Sequence, residues 1–199
     1  MVFIMSDTQY IWDYLNYYIQ NDIGTAALMG NLQAESGLIS YRLQGDFTSG
    51  YMRSKQYTAD VDSGVISEST FVNDSKGYGL AQWTYYTRKQ AMYNKHIAMN
   101  LSIGDAELGC AFLVEELQNS YPSVWTALVN ATNLRAASDV VLVQFENPQD
   151  QSEAVKQHRA ALGQAIYDQY SGQPIPPQPP TPPGPPVPPT IPIWMLFKM

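Results

Sequence analysis

Apolar positions recur along most of this chain with a helical period rather than the two-residue period of a strand. Residues 8–20 bring Ile11, Leu15 and Tyr18 to one side, which predicts a first amphipathic helix. Asp22 offers an N-cap for a second helix from Ile23, along which Leu28, Leu32 and Glu35 follow at i, i+4 and i+7. Gly37 is a suitable left-handed stop. From 38 to 76 the pattern loosens and turns polar, with Gly45, Gly50 and Gly64 as breakers and short helices expected over 54–62 and 68–73. A long, weakly patterned stretch inside a compact domain is more often functional than idle, and it suits one wall of a groove. Further on, Tyr85, Met92 and Met99 predict a helix to about residue 100, and Ala106, Cys110, Leu113 and Leu117 another from Asp105. Leu134, Val141 and Phe145 predict one over 133–145. Val155, Leu162 and Ile166, with Arg159 on the same side, predict a last one over 150–170. Only 38–84 is left as a home for strands. The expected fold class is mainly α (α+β), with a small β element.

Two segments carry the candidate chemistry. Gly30-Asn31-Leu32-Gln33-Ala34-Glu35-Ser36-Gly37 ends a helix on an acid. Gly77-Tyr78-Gly79-Leu80-Ala81-Gln82-Trp83-Thr84 is a glycine-punctuated turn carrying an amide and two aromatics. Glu35 shares its helix face with two leucines, a setting suited to a general acid. A carboxyl at a helix end, facing an aromatic turn that bears an amide, is what glycosidic-bond cleavage asks for.

Other constellations are weaker. Cys110 lies on the apolar stripe of its helix, where an inert core thiol is the ordinary reading, so a Cys110/His158 peptidase is disfavoured. His96 and His158 have no metal-ligand spacing, and neither a phosphate-binding loop nor a nucleophile elbow is present; no cofactor or metal is expected. The pair Glu115-Glu116 reads as a solvated helix face, and Glu146 as a structural residue partnering Arg159.

Composition narrows the function classes. A net charge of −7 argues against a nucleic-acid partner, which needs a basic face for phosphates. It also argues against a free cationic agent drawn to anionic walls, so an enzyme acting on such a wall must be delivered there. With 14 Tyr and 4 Trp the chain is rich in rings that stack on sugars but pack cores equally well. The single cysteine rules out an intrachain disulfide. No apolar stretch approaches the roughly 20 residues of a membrane span, and the first ten residues lack a signal-peptide pattern. The expectation is synthesis in a cytoplasm, with any outside action following lysis or carriage in a larger particle. At Gly172 the composition changes: twelve of the 14 prolines fall between Pro174 and Pro192. The organisation expected is a domain over 1–171, a semi-rigid proline-rich linker over 172–192 and a short hydrophobic tip over 193–199.

The two chemical segments, with stretches 57–64, 135–141, 145–148 and 151–160, resemble the phage tail lysozymes. Those belong to a wider lysozyme-like group with goose-type lysozyme and the lytic transglycosylases. The resemblance covers about residues 8–170. It implies a lysozyme-like fold that cleaves the β-1,4 bond between N-acetylmuramic acid and N-acetylglucosamine in peptidoglycan, with Glu35 as the acid. Tyr78, Gln82 and Trp83 fall where the family lines its sugar groove. Two positions depart from the pattern. Thr84 stands where goose-type lysozyme has an aspartate, which leaves Asp74, or less favourably Asp46, as the second carboxylate. Asn147 stands where the family usually has an arginine. Alternatives are a lytic transglycosylase using Glu35 alone, or a non-catalytic wall-binding or tail-structural module. The resemblance also implies a place on a virion tail, with tail-tip proteins as partners of the C-terminal linker.

Overall fold

The computed structural model describes residues 7–175; the expected linker beyond Ile175 and the tip over 193–199 lie outside the described residues. Nine α-helices order the described chain: α1 (Asp7–Ile19), α2 (Asp22–Ser36), α3 (Met52–Asp62), α4 (Glu68–Asn73), α5 (Tyr86–Met99), α6 (Ala106–Ser120), α7 (Pro122–Val129), α8 (Leu134–Val140) and α9 (Glu153–Tyr170). A 3₁₀ turn (Ser49–Tyr51) precedes α3, and a π-helical turn (Val141–Glu146) continues α8. Strand structure among the described residues is limited to isolated bridges, Leu43 with Tyr78 and Tyr78 with Trp83. The fold is mainly α, as expected, and the β element is reduced to these bridges.

The fold is built around α2. Instead of one apolar stripe it has an unbroken buried run from Gly24 to Leu32, which is the signature of a helix enclosed on all sides. Asn21, not Asp22, caps its start: the side chain accepts from Gly24 N at 3.0 Å and donates to the carbonyls of Val129 and Ala131. Two cap-forming residues stand side by side here, and the extended backbone of Asn21 makes it the cap. Asp22 instead accepts from Asn16 Nδ2 and, at 2.7 Å, from the backbone N–H of Gly172, tying the start of α2 to the end of α9. Gly37, at φ 69°, closes α2 through its N–H to the Gln33 carbonyl.

The most extensive helix pairing is α2 against α9. Its cause is a crossing of two glycines: a Cβ on Gly30 would lie 2.5 Å from the backbone nitrogen of Gly163 and 2.7 Å from the Arg159 carbonyl. Two glycines in helix interiors carry a propensity cost of about 1 kcal/mol each, offset here by backbone-to-backbone contact. One turn before Gly163, Arg159 is thereby laid along α2 at the level of Asn31 and Glu35. Around this pair, Trp12, Leu15, Leu28, Met29, Leu32, Leu80, Trp83, Leu113 and Leu117 form part of one core. Each such side chain contributes about 1.5–3 kcal/mol on burial. The helix α7, not anticipated from the pattern, begins on Pro122, whose fixed φ suits a first helical position, and buries Val124 and Leu128.

Candidate active site

A groove of about 610 Å³, within the range of sites for small ligands, opens beside the end of α2. Its helical side includes Ala34, Glu35, Arg88, Glu146 and Pro148; its loop side includes Arg42, Gln44, Gly45, Phe47, Gly77, Gln82, Thr84 and Tyr85.

Glu35 reaches the groove because it is the penultimate residue of α2. Leu28 and Leu32 are fully buried, whereas the Glu35 side chain keeps 21% of its surface. Its carboxylate is not bedded against the leucines as the sequence implied; it is held by the buried Arg159, whose Nη2 donates to Oε1. Arg159 is itself fixed by Nη1 contacts to the Asn31 carbonyl and Oδ1, and Asn31 Nδ2 in turn donates to Ala27 O and to Ser138. One oxygen of Glu35 is therefore oriented by a chain of buried polar groups across α2, α8 and α9.

The loop wall is assembled by the turn over 77–84. Tyr78 and Trp83 exchange backbone hydrogen bonds of 3.2 and 2.9 Å, and Gly79 N donates to the Arg42 carbonyl. Gly79 has φ 78°, and a Cβ there would fall 2.9 Å from the Trp83 ring, so the residue type is dictated twice. Gln82 sits in the groove with φ 46°. Its Nε2 donates to the carbonyls of Arg42 and Gly79, which pins the turn to the preceding loop. Tyr78 and Trp83 do not line the groove: both are fully buried. The Tyr78 hydroxyl pairs with Thr58, and the Trp83 indole donates to Glu116 at 2.9 Å. Each is an aromatic with a polar tip satisfied inside the core. The rings at the groove are instead those of Phe47, 89% exposed, and Tyr85, 61% exposed.

The candidate second carboxylates are bound elsewhere. Asp74 is absent from the groove lining; it accepts from Tyr57 Oη, from Lys76 N and from the Nζ of the fully buried Lys89. Burial pushes the Lys89 ammonium down and Asp74 works against that shift. Asp74 thus serves as counter-ion to a buried lysine. Asp46 is fully buried and accepts four hydrogen bonds, from the N–H and hydroxyl of Thr48 and of Ser54. Burial alone would disfavour its charge, but those bonds hold the carboxyl well below the usual range. Thr84 lines the groove and donates its hydroxyl to the Gln82 carbonyl.

Three features were not anticipated. Glu116 is buried, not solvated, and takes a two-pronged contact from Arg88 at 2.6 and 2.8 Å beside the Trp83 indole. Arg88 also lies over the Phe145 ring at 4.9 Å. Glu146, expected to partner Arg159, has no hydrogen bond, and its Oε1 is sealed from solvent; the same is true of Nη1 of Arg42, whose guanidinium lies over Tyr51. Burial, then the charge of Glu35, pushes the Glu146 carboxyl up to about 8, with Arg159 and Arg88 pulling the other way. Its position follows from the π turn, a widened helix turn of the kind often found at functional sites. A uniform helix over 133–145, as the apolar spacing implied, has no such feature. Cys110 is fully buried, its thiol pushed far above its ordinary value by burial.

A family model described as phage tail lysozyme matches residues 6–170. The chain belongs to the phage tail lysozyme family. The family is phage-associated and implies a lysozyme-like enzyme acting on peptidoglycan. The match spans both walls of the groove, from α1 to the end of α9. No curated protein and no solved structure matches the chain. No group of residues suited to a metal ion occurs among the described residues, and no described helix is long and apolar enough to cross a membrane.

Proposed function

We propose that this phage tail lysozyme cleaves the β-1,4 bond between N-acetylmuramic acid and N-acetylglucosamine, with Glu35 as general acid. The observation that carries the reading is Glu35 itself. It is a partly exposed carboxyl on a groove wall, with Oε1 held by Arg159 and no protein group bonded to Oε2. In a bound complex Oε2 delivers the proton to the leaving glycosidic oxygen, while Phe47 and Tyr85 offer exposed ring faces to the sugars. Gln82 acts by holding the turn in place.

The second step favours Glu35 acting twice. Asp74, the expected base, is engaged with Lys89 and Tyr57 and stands outside the groove lining. Once deprotonated, Glu35 can take the proton of the incoming nucleophile. That nucleophile is water in a hydrolase, or the 6-hydroxyl of the muramic acid ring in a lytic transglycosylase. The placement of Asp74 and the hydroxyl at Thr84 favour the second of these over a mechanism in which a second, ionised carboxylate activates water.

Product analysis on purified peptidoglycan, run beside Glu35→Gln, tests both levels. Loss of a general acid lowers the rate by about 100-fold to about 10,000-fold; a Glu35→Gln variant that clears the wall as fast as the parent removes Glu35 from the mechanism. Reducing ends mean hydrolysis and 1,6-anhydro ends mean transglycosylation. If neither protein cleaves but both bind, the groove is a glycan grip and the chain a wall-binding module. We also place the enzyme on the virion tail, tethered to tail-tip proteins through the proline-rich segment. Removing residues 174–199 then abolishes co-purification with virions while leaving cleavage by the free protein in place.

A further inference from the structure

Glu146 has the one unbonded carboxyl in the groove besides the free oxygen of Glu35. Buried polar atoms without a partner are uncommon enough that each needs an explanation. The two oxygens of Glu146 differ: Oε1 is sealed without a donor, whereas Oε2 is not sealed and the side chain lines the groove. An ionised carboxylate would spread its charge onto the sealed oxygen, where neither water nor a protein N–H can reach it. The arrangement that avoids this leaves Oε1 as a carbonyl-type oxygen and puts the proton on Oε2, facing the groove.

Several groove donors are already committed. Arg88 directs Nε and Nη2 to Glu116, Gln82 its amide to two backbone carbonyls, and Thr84 its hydroxyl to the Gln82 carbonyl. A sugar strand needs donors for its acetamido carbonyls and hydroxyl oxygens. We propose that Glu146 works as a neutral carboxylic acid which donates a hydrogen bond through Oε2 to an acetamido or hydroxyl oxygen of the bound glycan.

This deepens the reading of the groove as a glycan site and rests on it. The charged groups facing Glu146 are Glu35 on α2, Glu116 on α6, Arg88 on α5 and Arg159 on α9. The carboxylates oppose its ionisation and the arginines favour it; burial is the largest influence, and the balance lies at about 8. Above that point Glu146 becomes acceptor-only and repels the sugar oxygen it had bound. Glycan affinity then falls with rising pH.

The test measures KM and kcat on peptidoglycan for the full chain, Glu146→Gln and Glu146→Ala, between about pH 6 and about pH 10, with a thermal melt at each pH. For the parent, KM is expected to rise about tenfold per unit above about pH 8, following the loss of the acid form. Glu146→Gln, which keeps a neutral donor, raises KM about threefold at low pH and flattens the alkaline rise. Glu146→Ala raises KM about tenfold or more throughout. The proposal is overturned if Glu146→Gln keeps the parent's alkaline rise. It is equally overturned if Glu146→Ala matches the parent, or if the folded Glu146→Gln loses kcat by about 100-fold or more, the mark of proton transfer. If the parent cleaves at no pH, the glycosidase reading fails on its own. Titration of soluble peptidoglycan fragments against Glu35→Gln, with and without Glu146→Gln, then reads the same pH dependence as affinity and still decides the role of Glu146.

Discussion

The two walls of the groove are held by different physics. The helical wall is set by close packing: Gly30 against Gly163 fixes the approach of α9 to α2, and the position of Arg159 over Glu35 follows. The loop wall has almost no regular structure and is held by buried polar groups. Asp46 gathers Thr48 and Ser54, Asp74 gathers Tyr57 and Lys89, and Gln82 ties the turn to Arg42. In the first wall the Glu35 carboxylate is positioned by shape. In the second, carboxylates are consumed in positioning the backbone. The comparison explains why neither Asp74 nor Asp46 supplies the groove with a second aspartate: the acidic residues of the loops do structural work.

The largest effect should come from the loop wall. Asp74→Ala leaves the ammonium of Lys89, fully buried, without its partner, at a cost of about 3–5 kcal/mol. Chemical denaturation measures it. If Asp74 were the catalytic base instead, the variant would keep its stability and lose only its rate, and the contrast between the walls would fail. Next comes the helical wall. Gly30→Ala drives a methyl into the backbone of Gly163 and Arg159, and overpacking of this kind costs about 1–3 kcal/mol. Because α9 must move away, cleavage should fall more than stability predicts, through a displaced Arg159; equal losses would mean that the orientation of Glu35 does not depend on the crossing. The smallest effect on folding belongs to Phe47→Ala at the rim. Its stability change should stay within about 0.5 kcal/mol, and a weakened KM with unchanged melting identifies Phe47 as a sugar platform.

The difference between the walls also decides what could be read from the sequence. Packing leaves a periodic trace, so α2, its stop at Gly37 and the candidacy of Glu35 were legible from Leu28, Leu32 and the glycine spacing. The loop wall leaves no such trace. Asp46 with Ser54, Asp74 with Lys89 and Gln82 with Arg42 are pairings that a list of polar residues cannot resolve. The family resemblance placed Tyr78 and Trp83 at the groove, and an aromatic with a polar tip suits a core and a sugar wall equally; the Thr58 and Glu116 partners settle their burial. Glu146 reads as structural from the sequence because it ends a helix before Pro148, and the widened turn that sets its position has no distinctive spacing.

The bond between Gly172 and Asp22 bears on how such an enzyme can be carried. It fastens the end of α9 to the first turn of α2, whereas Glu35 stands in the last turn, about 20 Å away along the helix axis. The end of the folded body that holds Gly172 is thus separated from the groove end by the full length of its central strut. A cargo, a bead or a larger particle attached after Ile175 is anchored at the back of the molecule, and the groove faces outward like a blade held by its handle.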